Sequence, residues 1–196
     1  MFYISTIKTT LLLFPVILTL TLGANITASA QNFKIPYEAC ELSKSFPTLA
    51  TEVKKGEPLT QTILLVNCEL VEWFPAITAA GKYYTPIGQY TVDYANMQNV
   101  AILNNPREGT INLRTPFWMT YTKLKGDYGQ YAGRNLYGVH GAPWRSHKEF
   151  TGEKEIWIGG SHGCTNIEDA NAEVIYDYVK QYKAKGQQVK VLNYQS

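Results

Sequence analysis

The amino-acid sequence predicts a mainly β protein, a mixed β-sheet or open sandwich with one substantial helix near the C-terminus. From residue 60 onward, the chain consists of short runs rich in β-branched and aromatic residues, and turn residues separate these runs. Residues 168–185 differ, because apolar side chains recur there at three- and four-residue intervals and form one helix face. With 45% hydrophobic and 17% charged residues, the 196-residue chain is expected to form one folded domain.

Four strands are expected in the first part of this region, at 62–66, 69–78, 88–94 and 110–123. The turns between them are marked by Gly81, Pro86, Asn104-Asn105-Pro106 and Gly109. The stretch from Gly126 to Gly138 indicates an open loop that leads into a strand ending near His140. The helix follows, with Gly186 as its C′ residue, and residues 188–192 form the last strand.

The N-terminal residues 1–30 have the pattern of a secretory signal peptide. Lys8 precedes an apolar stretch at 11–22, and Ala28-Ser29-Ala30 resembles a small-x-small cleavage site. The apolar stretch is short for a bilayer span, and both cleavage near Gln31 and retention as an N-terminal anchor remain open. The expected location is therefore outside the plasma membrane, in a periplasm or the cell wall. Residues 31–59 form a lead-in segment with a short helix.

The net charge limits the possible partners of the protein, and the cysteine count limits the possible disulfides. The formal net charge of +2 gives no sign of the basic face that nucleic-acid binding requires, so nucleic acid is excluded as a partner. The three cysteines are an odd number for an exported chain. Cys40 and Cys68 can form a bridge worth about 3–4 kcal/mol, or Cys68 is a small buried residue and Cys40 is unbridged. Cys164 stands apart in either case.

Two glycine-rich stretches, 137–144 and 159–166, contain the residues best suited to catalysis. They hold Cys164 and two of the three histidines, His140 and His162, whereas His147 is expected to be a loop residue. A thiol has a pKa of about 8.5, and an imidazole that takes its proton makes it a strong nucleophile toward carbonyls. A lone Cys or His is more often structural, but their joint occurrence favours catalysis. The helix that starts four residues later favours a developing oxyanion.

The segment Ser161-His162-Gly163-Cys164-Thr165-Asn166, with His140-Gly141 about twenty residues upstream, resembles the signature of the L,D-transpeptidases. These are peptidoglycan cross-linking enzymes with a YkuD-type catalytic domain. The Thr85-Pro86-Ile87-Gly88 stretch also resembles one that precedes a strand in that family. The resemblance covers roughly 60–193 and implies that 60–196 is the catalytic domain.

The resemblance implies a role for each matching residue. Cys164 matches the nucleophile, His140 the general base, and Gly141 the residue whose backbone carbonyl orients the imidazole. His162 and Gly163 match the segment that shapes the oxyanion site, and Ser161 matches a residue that orients the turn. There are two departures: Thr165 occupies a usually hydrophobic position, and the connection to Ser161 is longer, which implies a longer loop at 145–158 over the site.

The implied reaction is acyl transfer on peptidoglycan stem peptides without a metal or cofactor. Cys164 forms a thioester with release of D-alanine, and an amine of a second stem or of an acceptor protein then resolves it. Resolution by water, giving an L,D-carboxypeptidase, and a non-catalytic wall-binding module are the alternatives. A papain-like endopeptidase, in which the catalytic histidine follows the cysteine in the chain, is disfavoured because no histidine follows Cys164. A zinc site of His140, His162 and Cys164 is disfavoured because it lacks a fourth ligand. His162 remains an alternative to His140 as the base.

Overall fold

The computed structural model describes residues 34–80, 83–105, 109–121, 137–156 and 160–196. The predicted signal segment and most of the predicted open loop lie outside these residues. The described elements, in chain order, are α1 (Tyr37–Ser43), β1 (Thr48–Val53), β2 (Leu59–Val66), β3 (Glu69–Ile77), β4 (Gly88–Asn96), β5 (Val100–Asn105), β6 (Gly109–Arg114), β7 (Trp118–Tyr121), β8 (Gly138–Gly141), α2 (His147–Thr151), β9 (Thr165–Ile167), α3 (Asp169–Ala184) and β10 (Lys190–Gln195). Among them, no helix combines the length and apolarity needed to cross a membrane.

Eight of these strands pair into one mixed sheet that closes on itself. Their order is β1-β10-β4-β7-β8-β9-β3-β2, with β2 returning to β1, while β5 and β6 form a separate hairpin. The β1–β10 and β8–β9 pairs are parallel and the other pairs of the sheet are antiparallel. The predicted mainly β fold with a mixed sheet and one C-terminal helix is thus confirmed. Closure of the sheet is a further feature that the strand pattern alone does not predict.

The segment predicted as a lead-in contributes more than a short helix. Besides α1, it contains β1, which lies between β2 and β10 and pairs with β10 from Thr48↔Lys190 to Val53↔Gln195. Leu49 and Ala50 are almost completely buried there. The partner strand β10 is at the opposite end of the chain, so no local pattern indicates this pairing.

The predicted strand 110–123 is wrong as a single element, because the chain breaks between β6 and β7. Phe117 has a φ of 54°, a left-handed conformation that an extended strand does not contain. The Thr115 and Phe117 amides donate instead to the carbonyls of Asn99 and Met97, at 2.8 and 3.1 Å. Strand β5, which pairs with β6, was not expected from the sequence.

Helix α3 packs one apolar face into the core, as its periodicity predicts. Ala172, Ile175, Tyr176 and Val179 are its buried residues. The helix ends in a Schellman arrangement, in which the Gln187 amide donates to the Tyr182 carbonyl and the Gly186 amide to the Lys183 carbonyl, both at 3.0 Å. Gly186 has a φ of 74°, so the predicted C′ glycine is confirmed.

A disulfide between Cys40 and Cys68 joins α1 to the tip of the β2–β3 hairpin. Of the two possibilities left open by the sequence, the bridge is therefore the one found. Asn67 and Cys68 have φ values of 51° and 65°, as the two central residues of a type I′ turn require. The Cys68 amide also donates to Ser43 Oγ at 2.7 Å, which holds the turn against α1.

Candidate active site

Strands β8 and β9 lie side by side, and the predicted catalytic residues are within β8 or in the turn just before β9. The two strands are parallel, and His140 is paired with Asn166. Paired residues of neighbouring strands point to the same side and successive residues alternate. His140 and Asn166 therefore share a face. Cys164 lies in the bend immediately before β9, and its thiol hydrogen-bonds with the backbone of Gly138 in β8. Val139 and Ile167 point to the opposite face and belong to the apolar core that contains α3.

The imidazole of His140 is buried and held on both ring nitrogens. Nδ1 donates to the backbone carbonyl of Gly141 at 2.7 Å, which puts the proton of the neutral ring on Nδ1. Nε2 then accepts from Asn166 Nδ2 at 3.2 Å. The ring of Trp118 stacks on the imidazole with centroids 5.0 Å apart, and that of Trp144 lies 6.0 Å away. The Gly141 carbonyl thus contacts the ring in the way that the family resemblance implies.

Gly141 leaves no room for a side chain at this position. A Cβ there would lie 2.6 Å from Asp169 Oδ1 and 2.9 Å from Pro116 Cγ. Both distances are shorter than any ordinary contact, so a larger residue would require Asp169 or Pro116 to move. The carboxyl of Asp169 is itself partly buried, and this burial raises its pKa above the ordinary value.

The turn before β9 is closed by the side chain of Ser161. Its hydroxyl donates to the Cys164 carbonyl and accepts from the Gly163 amide, the latter at 3.1 Å. Gly163 has a φ of 125°, and a Cβ there would lie 2.1 Å from Cε1 of Tyr137. Ser161 and Gly163 therefore shape the backbone at Cys164. Their catalytic roles stay predictions.

The protonation states of Cys164 and His140 differ from those of a preformed thiolate and imidazolium. Burial raises the pKa of the Cys164 thiol to about 12, against a hydrogen bond with the backbone of Gly138 that lowers it. Burial lowers the pKa of His140 to about 4, and the positive charge of Arg145 acts in the same direction, against the Gly141 hydrogen bond. At neutral pH the resting forms are therefore a thiol at Cys164 and a neutral imidazole at His140, rather than a thiolate and an imidazolium.

The other two histidines have different surroundings. His162 is partly exposed, and its ring lies against Tyr83 with centroids 4.2 Å apart and an interplanar angle of 60°. The expectation that His147 is a loop residue is wrong, because it is the first residue of α2. Its exposed ring contacts Glu168 at 3.0 Å, which raises the pKa of His147. A capping box between Ser146 and Glu149 starts this helix.

A buried polar network next to His140 was not identified from the sequence. Arg145 Nε donates to Asn166 Oδ1 at 3.1 Å, and Nη2 donates to the Gly160 carbonyl at 2.7 Å. Arg145 Nη1 also contacts Glu149 Oε1 at 3.3 Å, and each of these two side chains is only 3% exposed. The predicted long loop at 145–158 thus contains α2 and supplies this ion pair. The Ser146-x-x-Glu149 spacing was the available signal. Within the described ranges, no three His, Cys, Asp or Glu side chains converge as metal ligands.

The comparisons with known proteins give one family match and several solved structures of similar fold. The pattern of the YkuD family, the L,D-transpeptidase catalytic domain, matches residues 56–191. No curated protein sequence matches the chain. Among solved structures, the L,D-transpeptidase from Mycobacterium smegmatis is similar, with a TM-score of 0.51 and 18% identity over 74% of this chain and 58% of that one.

Two further solved structures share the fold. An L,D-transpeptidase from Stackebrandtia nassauensis has a TM-score of 0.54 and 16% identity, over 82% of this chain and 61% of that one. L,D-transpeptidase 3 from Mycobacterium tuberculosis, in complex with a faropenem-derived adduct, has a TM-score of 0.50 and 17% identity, over 75% and 60%. The matched part of this chain thus corresponds to about three fifths of each of these proteins.

Proposed function

The chain belongs to the L,D-transpeptidase catalytic domain family, and we propose that it is an exported cysteine acyltransferase acting on peptidoglycan stem peptides. Cys164 is the nucleophile and His140 the general base. The observation that carries the proposal is the imidazole of His140 held as the Nδ1–H tautomer on β8, the strand whose Gly138 backbone hydrogen-bonds with the Cys164 thiol. Nε2 is then the unprotonated nitrogen, and it takes a proton by exchanging its hydrogen bond from Asn166 Nδ2 for one from the thiol.

The neutral resting pair determines how the first step proceeds. A thiol with a pKa of about 12 is almost never ionised at pH 7. Its proton therefore passes to Nε2 of His140 as Sγ attacks the amide carbonyl between the third stem residue and the terminal D-alanine. The imidazolium returns the proton to the departing amine of D-alanine, which leaves a thioester on Cys164. The amides of His162 and Cys164 are the proposed donors to the oxyanion, and Gly163, whose amide donates to Ser161 Oγ, shapes the turn between them.

The second step reverses the proton movements. The amine of a second stem attacks the thioester carbonyl, and His140 takes the proton of this amine. The bond between the carbonyl carbon and Sγ then breaks, and His140 returns the proton to Sγ. The product is a cross-link between third residues. Water as the acceptor gives the tripeptide of an L,D-carboxypeptidase, and an amine on a protein gives attachment to the wall.

Export is supported by the Cys40–Cys68 disulfide, since such bridges are characteristic of oxidising compartments outside the cytosol. The signal-like pattern at 1–30 points the same way. A periplasm or the cell wall is therefore the proposed location.

Mass spectrometry of the purified protein with disaccharide-tetrapeptide tests the reaction. The expected result is loss of D-alanine, a thioester adduct on Cys164, and a cross-linked dimer; tripeptide alone supports the carboxypeptidase. The Cys164→Ala protein is the control and should give none of these. Faropenem, which forms an adduct with the tuberculosis enzyme, serves as a second acyl donor. A folded protein that forms no adduct with either compound, or an alanine variant that still releases D-alanine, contradicts the mechanism and leaves the wall-binding module.

A further inference from the structure

The general base of the proposed mechanism is linked to a buried ion pair on α2. Asn166 lies between them, since its Nδ2 reaches His140 Nε2 at 3.2 Å and its Oδ1 accepts from Arg145 Nε at 3.1 Å. Arg145 has no acceptor atoms, so it can satisfy only the oxygen of the amide. This contact fixes which way the amide of Asn166 is turned. The Asn166 nitrogen, rather than its oxygen, must then face the imidazole.

Arg145 is itself held from two further sides. Its Nη2 donates to the Gly160 carbonyl at 2.7 Å, in the segment that leads to the Ser161 turn. Its Nη1 contacts Glu149, whose second carboxylate oxygen accepts from the Ser146 amide at 2.8 Å and so belongs to the capping box of α2. Every part of the guanidinium fork therefore has a partner, and the pair is removed from solvent. Such a buried pair has one geometry, unlike a mobile surface pair.

We propose that Arg145 is a positioning residue that, through Asn166, holds His140 as the neutral Nδ1–H tautomer with Nε2 as a hydrogen-bond acceptor. An amide N–H can donate only to an unprotonated Nε2. Once His140 carries the thiol proton, the Nε2–H faces the amide NH₂ group and a nearby guanidinium charge, and both disfavour the imidazolium. The network therefore favours rapid transfer of that proton to the leaving amine. This inference rests on the proposed role of His140.

Removal of Arg145 should release the amide of Asn166. In Arg145→Gln, the amide is free to turn its oxygen toward an Nε2–H, which stabilises imidazolium and raises the pKa of His140. Because this variant leaves Glu149 buried without its partner, it carries a risk of poor folding. The double variant Arg145→Met/Glu149→Met removes both charges together and is the second test. His147→Gln is the matched control, since it breaks an exposed ion pair of the same helix.

Nuclear magnetic resonance titration of His140 in the Cys164→Ala background tests the proposed role of Arg145 without a measurement of catalysis. With Arg145 present, the ¹⁵N shifts should show the Nδ1–H tautomer and a pKa near 4. Both Arg145 variants should raise that pKa by about one unit or more, and His147→Gln should leave it unchanged. In the active protein, the acidic limb of faropenem acylation should move to higher pH by the same amount. An unchanged His140 pKa in the folded double variant overturns the inference. The proposed function fails separately, if His140→Ala acylates normally.

Discussion

The two faces of β8 and β9 are equally buried but chemically opposite. On one face, Val139 and Ile167 are completely buried and pack into the core that contains α3. On the other, His140 and Asn166 are each 3% exposed, and their side chains are held by hydrogen bonds to Gly141, Arg145 and each other. Packing maintains the first face, whereas the second depends on every polar group keeping its partner.

This difference means that stability and reactivity can be changed independently within a few residues of sequence. A substitution that leaves a cavity on the core face should lower the free energy of unfolding without changing the chemistry of folded molecules. A substitution on the polar face should change the rate, and above all its pH dependence. The strands have only four and three residues, so each face offers few positions for such a test.

The largest effect is expected for His140→Ala on the polar face. General-base catalysis typically contributes about 10²–10⁴-fold, and acylation of Cys164 by faropenem at pH 7 should fall by about that factor. The remaining rate should rise with pH, because thiolate must then form from a thiol with a pKa of about 12. His162→Ala is the matched variant. It keeps the backbone amide that is the proposed oxyanion donor, so it should lower the rate less than His140→Ala does and leave the shape of the profile unchanged. If the two profiles are interchanged, His162 is the base.

Ile167→Ala on the core face should cost about 2–5 kcal/mol of unfolding free energy, because it removes a fully buried side chain next to α3. Chemical denaturation measures this loss. The acylation rate per folded molecule and its pH profile should stay those of the parent protein. Val174→Ala, at an exposed position of α3, is the control and should change stability by less than about 0.5 kcal/mol. A shifted pH profile in Ile167→Ala would show that the two faces are coupled.

The disulfide gives a third region that is separate from both faces. Reduction of the Cys40–Cys68 bridge, or the variant Cys40→Ala/Cys68→Ala, should lower the unfolding free energy by about 3–4 kcal/mol, as loss of a loop constraint of this length predicts. Acylation of Cys164 should persist in the folded fraction. Thiol titration of the oxidised, denatured protein should find one thiol per chain. Three thiols in protein from the exported compartment would contradict the bridge.

The last two effects are pH dependences of stability that have opposite signs at two histidines, and the one at His147 is the smallest. The pKa of His140 is about 4 in the folded protein and about 6.5 when unfolded. Between these values only the unfolded chain binds the proton, so stability should fall by about 3 kcal/mol as the pH drops from 6.5 to 4. His140→Gln should remove this component from denaturation curves measured across that range.

His147 should act in the other direction. Its pKa is raised by Glu168, so its stabilising contribution is present at low pH and is lost as the pH rises through the folded pKa. The pair is exposed, so the contribution should be small. Denaturation of His147→Gln at pH 5 and pH 8 measures it. A larger loss at pH 8 than at pH 5 would contradict this sign.

The sequence predicts elements whose cause is local. Helix α3 follows from its apolar periodicity, and its end follows from Gly186, which alone can adopt the required φ without cost. Strands β2 and β3 likewise follow from local composition, since 62–66 and 69–78 are rich in β-branched and aromatic residues. Strand β1 was not predicted, because its short run gains its pairing from β10 at the far end of the chain.

The residues of the candidate site also differ in whether a local sequence pattern predicts them. Cys164, His140 and the glycines around them stand in motifs that can be recognised directly from residue order. Arg145 and Asn166 gain their importance only when parallel pairing places β9 beside β8, which brings the amide of Asn166 to the imidazole. The neutral state of the pair depends on burial, and burial is a property of the folded chain that no short motif contains.

The parallel pairing of β8 with β9 also bears on how this domain can be re-engineered. His140 lies in β8 and Cys164 directly precedes β9, so we expect that part of the connection between them can be exchanged for one of another length if the Ser161 turn is kept. A graft of that connection must retain an arginine and its carboxylate partner in the places of Arg145 and Glu149. A single residue inserted inside either strand has a different outcome, since it rotates the following side chains onto the opposite face. Specificity is therefore open to loop exchange, whereas the strands tolerate no change in length.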